Sequence, residues 1–369
     1  MQSWRLSWCK CVVVAMMASG CGWTWAQEAA EPVVPVDLGP PPVVAAVDLG
    51  SDALDIENAE GLKGIRKVAL AGVSLYVLME SSAGVTSGGA FRDRNMASVN
   101  TSIKVVGLPQ EALQQLADAV HDKVLATLQR RGFNVMSDAQ LRALPEYAQW
   151  ARLADASPLA FDASAGKGMI FSAKGLPLFN MDEKNFLGRT IGGLFGAKVE
   201  DNYVSLGNQI GSGFRKHDFE VASAALAKAA GATLVMARVV LAPAQVKASG
   251  GAFSLSASTT ARDSLVMPSW INRLWVMQPG ADAARVSLKS HLVSEQAPGR
   301  IVDVTSTGRK AANIAFTAFT MLASMNGVGR GVVVNEKKLE LQTNEAWFDA
   351  VAQAQIDATV SALGAALSP

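Results

Sequence analysis

The side chains able to do chemistry in this sequence are few, and their spacing narrows what they could do. There are three histidines, His121, His217 and His291, each separated from the next by a long stretch of chain. A local zinc centre presents ligands at close spacing, as in HxH or HExxH, and neither pattern occurs. They are read as solvated or structural: His121 on the polar side of a helix, His217 just before a helix cap, His291 inside a strand. The three cysteines, Cys9, Cys11 and Cys21, all lie near the N-terminus. Residues 22–369 therefore offer no disulfide, no thiolate metal site and no cysteine nucleophile. No GxSxG elbow is present for a serine hydrolase. The run Gly327-Val328-Gly329-Arg330-Gly331 follows a helical pattern and precedes a strand, whereas a dinucleotide loop needs strand, glycines, then helix. Gly196-Ala197-Lys198 and Gly166-Lys167-Gly168 both lack the full phosphate-loop spacing. No catalytic residue, metal ligand or cofactor site is assigned, and the chain is expected not to be an enzyme. An envelope hydrolase working with carboxylates alone is the weakest reading, because no paired acids stand out.

Composition sets further bounds. Half of the 369 residues are hydrophobic and 18% are charged, enough for a large core and incompatible with global disorder. The formal net charge is +1, and a leader carrying Arg5 and Lys10, once removed, leaves 31 basic against 32 acidic residues. Near-neutrality supplies no electrostatic footprint for nucleic acid, and no polybasic run addresses an anionic bilayer.

The N-terminus reads as an export signal over residues 1–26. Arg5 and Lys10 give a positive start, and residues 11–20, CVVVAMMASG, form an apolar run too short to span a bilayer. Two processing sites compete. Small residues at Thr24 and Ala26 suit signal peptidase, with cleavage after Ala26 leaving Gln27 first. Alternatively, Ala18-Ser19-Gly20-Cys21 resembles a lipobox, which would lipidate Cys21 and anchor the chain. Cleavage at Ala26 is preferred, because Ala18 stands where leucine is commonest and the leader uses cysteine freely. The protein is thus expected to be exported and periplasmic, with outer-membrane anchoring as the alternative.

These residues are expected to be positioned by one large α/β domain, residues 62–369, after a Pro/Ala-rich flexible linker at 27–61 in which Val-Asp-Leu-Gly occurs twice. A β-rich run at 66–79 reads as an early central strand, followed by a loop at 81–93. Alternation at 97–108 puts Val99, Thr101, Ile103 and Val105 on one strand face. Pro109 opens a helix with Leu113, Leu116, Val120, Val124 and Leu128 at helical spacing, stopped by Arg130-Arg131-Gly132. A strand at 133–136 leads to a helix capped by Ser137 or Asp138. Residues 157–215 form an irregular insert with a strand and turn at 166–180. Its glycine-rich part, 185–214, reads as a surface lid, with a membrane-active hairpin as the alternative. A helix at 218–230, closed by Gly231, precedes a strong strand at 232–243. Further strands are expected at 252–260, 271–277, 285–293 and 301–306, and residues 327–341 give a glycine-marked turn and one further strand. The segment 254–260, alternating Ser/Thr with small apolar residues, reads as a soluble edge strand, with a barrel strand as the alternative. Helices are expected at 310–325 and 345–367, the last turning Trp347, Val351, Ala354, Ala358 and Val360 inward. The fold class is α/β, a mixed sheet flanked by helices with a glycine-rich insert.

The order strand, long helix, Arg130-Arg131-Gly132-Phe133-Asn134-Val135-Met136, short helix, then ALAKAAGATLVMARVV resembles the periplasmic α/β domain shared by the curli secretion lipoprotein and the amino-terminal domain of TolB. The resemblance covers about half of the folded chain and implies an assembly and interaction module without catalytic residues. The insert and the extra C-terminal strands depart from it. The expected function is a non-enzymatic cell-envelope protein that binds an unknown protein partner or itself. The alternative is a subunit of an outer-membrane channel or secretion assembly. Membrane contact would come only through a lipid anchor or the glycine-rich insert.

Overall fold

The structure is a computed structural model, and it describes residues 37–87, 96–163, 166–173, 175–179, 206–249, 258–269, 271–307, 310, 313 and 332–367. Its organising element is one long strand, β2 (Lys67–Ser87), of 21 residues, far beyond the usual five or six. The reason lies in its composition. Residues 67–79 carry valine, leucine and alanine on both faces, as a strand buried on both sides requires.

An eleven-stranded mixed sheet is built around β2. Along its first half β2 pairs in parallel with β7 (Thr233–Leu241) on one side. On the other side it pairs with β4 (Asn134–Met136), in parallel, and then with β6 (Gly166–Ser172), antiparallel. β5 (Leu159–Ala163) forms a hairpin with β6. Beyond β7 the sheet continues through β11 (Arg273–Met277) and β12 (Ala284–Leu288) to β1 (Leu54–Glu57). Along its second half β2 pairs with β3 (Met96–Val106), then β15 (Val332–Gln342) and β14 (Arg300–Asp303). Two small antiparallel pairs lie outside this sheet: β8 (Gln245–Ser249) with β9 (Ser258–Arg262), and β10 (Val266–Met267) with β13 (Leu292–Val293).

Helices cover both faces of the first half. Alternate β2 residues Val68 and Leu70 join the core beneath α1 (Gln110–Arg130) and α5 (Glu345–Ala365). Ala69 and Ala71 join a second core beneath α2 (Asp138–Arg142), α3 (Pro145–Ala151) and α4 (Leu206–Ala230). A register shift between Leu70 and Gly72 moves the α1/α5 face from even to odd positions, so Val73, Leu75 and Val77 continue it. The α1 residues expected inward, Leu113, Leu116, Val120, Val124 and Leu128, are all buried. Ser137 caps α2 through a reciprocal capping box with Gln140. Gly132, with φ 86, provides the left-handed stop after α1.

Several expectations change. Residues 81–87, read as loop, continue β2, because Ser81 and Ala83 alternate inward over the core of β3 and β15. Helix α4 begins at Leu206, so residues 206–214 of the glycine-rich stretch are helical. The expected strand 285–293 is interrupted between β12 and β13, and β1, β5, β8, β10 and helix α3 are additional to the expected elements. On α5, Phe348 is buried in place of Trp347, and Ala354 is only half-buried; Val351, Ala358 and Val360 face inward. The helix is apolar around most of its circumference, so periodicity could not single out one face. Residues 54–57, placed in the linker, form β1 antiparallel to β12. The helix expected at 310–325, the glycines at 327–331 and residues 180–205 lie outside the described residues.

Candidate functional site

Residues 37–53 form a strap over the domain. At its start Trp347 donates an indole hydrogen bond to the Gly39 carbonyl at 3.0 Å. At its end the Lys289 amide donates to the Ala53 carbonyl at 2.8 Å, just before β1 joins the sheet. From Gly39 to Gly50 the chain runs without helix or strand, with half-buried side chains interspersed among exposed ones, and a short 3-10 helix at Ser51–Ala53 follows. Val44 and Leu49 pack against the α1/α5 core. Val43 is 95% exposed. Pro40-Pro41-Pro42 explains the extended path, since the rings fix φ and remove amide donors.

The strap does not fill the surface beneath it. A cavity of about 610 Å³ remains between strap residues 44–49 and the last three turns of α5. Its helix wall is made of small residues, Ala354, Ala358, Ser361, Ala362 and Ala365, with Arg131 at the end of α1 beside them. Asp357 of this wall pairs with Lys123, which ties α5 to α1. The volume falls in the range of pockets that accept small ligands or peptide side chains.

A second surface lies on the second half of the sheet, whose faces are unlike. One is apolar: Ala83, Ile103, Val105, Leu339 and Leu341 are covered by Ala244 and Val246 at the β8–β9 pair. The Thr101 and Thr259 hydroxyls share a hydrogen bond there at 2.5 Å. The other face carries a row of alternating charge across four strands, Lys167, Glu80, Lys104 and Glu340, aligned by register. Opposite charges on neighbouring strands support pairing, and the row gives this face a polar surface.

The titrating groups are dispersed. The His121 Nδ1 lies 3.1 Å from Asp122 Oδ1, and Nε2 lies 3.8 Å from Asp138 Oδ2. His217 is within α4, not ahead of its cap. His291 lies between β12 and β13, not inside a strand, and its Nδ1 accepts from the Ser269 amide at 2.9 Å. Among the described residues no group of three His, Cys, Asp or Glu side chains could hold a metal ion. The Asp303 carboxyl is held below the usual range, first by the Thr305 hydroxyl, then by the Thr305 amide and by Lys310. Asp349 is pushed up by burial, and Glu345 one turn away adds to it. Burial also raises Tyr147.

Cys21, Ala26 and Gln27 lie outside the described residues, as do Gly196 to Lys198. Gly166-Lys167-Gly168 opens β6, where a side chain at residue 168 would meet the Phe161 ring; these glycines serve strand pairing. No helix among the described residues is long and apolar enough to cross a membrane. The strap escaped the sequence reading because proline content suggested a linker. The available signal was the spacing of Val44, Val47 and Leu49, which are half-buried, as are Leu38 and Pro42. No protein-family model, no curated protein and no solved structure matches this chain.

Proposed function

We infer that this is a non-enzymatic, exported cell-envelope protein whose α/β domain binds a protein, either an unidentified envelope partner or a second copy. The supporting observation is the strap and the groove beside it, where extended polypeptide is held along α5 and about 610 Å³ is left open. The dispersed histidines and carboxylates fit a binding role better than turnover. Export rests on the leader, with Gln27 as first residue of a periplasmic form or a lipidated Cys21 as its anchored counterpart. The glycine-rich insert, residues 157–215, is part of the same domain in this reading.

The test is site-specific photocrosslinking in the native host from positions 361 and 354, followed by envelope fractionation and mass spectrometry. A processed protein in the envelope fraction, crosslinked to a polypeptide, is the expected result. An unprocessed chain in the cytosol, or an envelope protein with no polypeptide adduct, sinks the reading.

A channel or secretion-assembly subunit is the second reading. It is favoured by the antiparallel pairs β2–β3 and β8–β9, and by strict alternation of exposure along β9. Conductance in lipid bilayers by the purified chain would move the assignment to that reading.

A further inference from the structure

None of residues 37–50 is buried, although the helix wall they face is: Ala358 and Ala362 of α5 are 6% and 5% exposed. Among the described residues, no backbone group of residues 40–49 makes a hydrogen bond to the rest of the protein. Val44 and Leu49 reach the α1/α5 core only as half-buried side chains, and about 610 Å³ beside them is left open. Few buried apolar contacts and no hydrogen-bond ladder mark a segment that opens at far lower cost than the domain unfolds.

The two ends of the strap are held unequally. Downstream, the Ala53 carbonyl accepts from the Lys289 amide, and β1 follows in register with β12 from Leu54 opposite Leu288 to Glu57 opposite Arg285. The Arg285 guanidinium also donates to Glu57 at 2.9 Å. Upstream, the one hydrogen bond to the domain among the described residues runs from the Trp347 indole to the Gly39 carbonyl at 3.0 Å. A carbonyl released there exchanges its donor for water at small net cost. Gly50 is the last residue before the turn at Ser51–Ala53, and glycine accepts the backbone change that a swing requires. Pro40-Pro41-Pro42 keeps the start of the arm extended, so that it moves as one piece.

We propose that residues 37–49 form a latch over α5 that opens about Gly50 while the domain beneath stays folded. Opening lifts Val44 and Leu49 from the α1/α5 core and frees those apolar positions for a bound polypeptide, so that partner and strap compete for one surface. The competition rests on the binding role proposed above; the opening itself does not.

The experiment uses the chain from Gln27 onward, whose only labelling sites are introduced ones, because no cysteine follows residue 21. Val43→Cys and Val221→Cys, both exposed and on opposite faces of the sheet, take a donor and an acceptor dye. Single-molecule energy transfer in native buffer is expected to show a main closed population and a second of about 1–10%. Trp347→Phe removes the indole donor and should enlarge the second population about two- to tenfold. Leu49→Ser should enlarge it as well, through a different contact. A single closed population in the wild type overturns the latch. So does a second population that appears only as far-UV circular dichroism is lost in urea, or one that neither substitution changes. Photocrosslinking from position 361 tests the competition: adduct yield should rise in Trp347→Phe, and an unchanged yield overturns it. The distance measurement contains no partner. A strap that never opens in a chain that still gives polypeptide adducts therefore defeats only this inference. A latch that opens in a chain giving no adduct defeats the broader reading and leaves the opening standing.

Discussion

Asp349 shows how one side chain can work against its fold. It sits one turn into α5, where burial and the neighbouring Glu345 both disfavour its charged form. Its folded pKa is therefore above the unfolded one, and the native state binds more protons across the carboxylate range. Stability then falls as pH rises through that interval, and the loss persists at neutral pH. Asp349→Asn is expected to raise Tm at pH 7 by no more than a few degrees, as befits a partly solvated group. The gain should shrink as pH is lowered below the carboxylate range, which thermal melts at both pH values will check. Asp303 has the opposite sign: its hydrogen bonds to Thr305 stabilise the carboxylate, so its contribution is lost as pH falls through its lowered pKa.

At the scale of elements, the least obvious contact is the one that extends the β7–β11 ladder past the end of β11. Backbone pairing between these strands ends at Arg273 and Arg238. Beyond it the side chain of Asn272 takes over. Its Oδ1 accepts from the Val240 amide at 2.7 Å, while Nδ2 donates to the carbonyls of Val240 at 3.3 Å and Pro268 at 2.7 Å. Asn272 is fully buried, so the side-chain amide substitutes for a strand partner that water cannot replace. Asn272→Ala would leave Val240 unpaired on that edge and should cost about 1–3 kcal/mol, measured by urea denaturation. A loss under roughly 1 kcal/mol would mean that neighbouring backbone closes the gap. The junction of β3 with α1 is tied in a comparable way. Gly107 has φ 93, and a side chain there would collide with the Thr343 carbonyl next to the start of α5.

The molecule as a whole hangs on β2, which belongs to both halves of the sheet and contributes to all four apolar clusters. Neither half can lose β2 without dismantling the other, so the described part of the chain should unfold as one cooperative unit. Trp150 and Trp275 report on the α3/α4 side of the first half, whereas far-UV circular dichroism sees both halves. Coincident urea midpoints from the two signals are expected. A separate earlier transition in circular dichroism would show that β3, β14 and β15 detach on their own.

Much of this architecture was legible in the residues themselves. The helical spacing from Leu113 to Leu128 determined α1 and its buried face, and the stop at Arg130-Arg131-Gly132 fell where glycine can turn left-handed. The doubly apolar runs at 66–79 and 232–243 determined two strong strands, because only strands covered on both faces tolerate such composition; that they are neighbours was decided by the parallel pairing of β2 with β7. The absence of cysteine after residue 21 determined that residues 22–369 form no disulfide among themselves. Other features depended on partners distant in sequence. Whether Ser81–Ser87 was loop or strand was decided by β3, which supplies the hydrogen bonds for that segment. The inward face of α5 was decided by what packs on it, since its composition is apolar nearly all round. The strap and its groove were decided by α5 and Arg131, on which the valines of a proline-rich segment settle. Local periodicity records a preference of the chain for one element. A groove arises only when two elements, about three hundred residues apart here, are brought together by the fold.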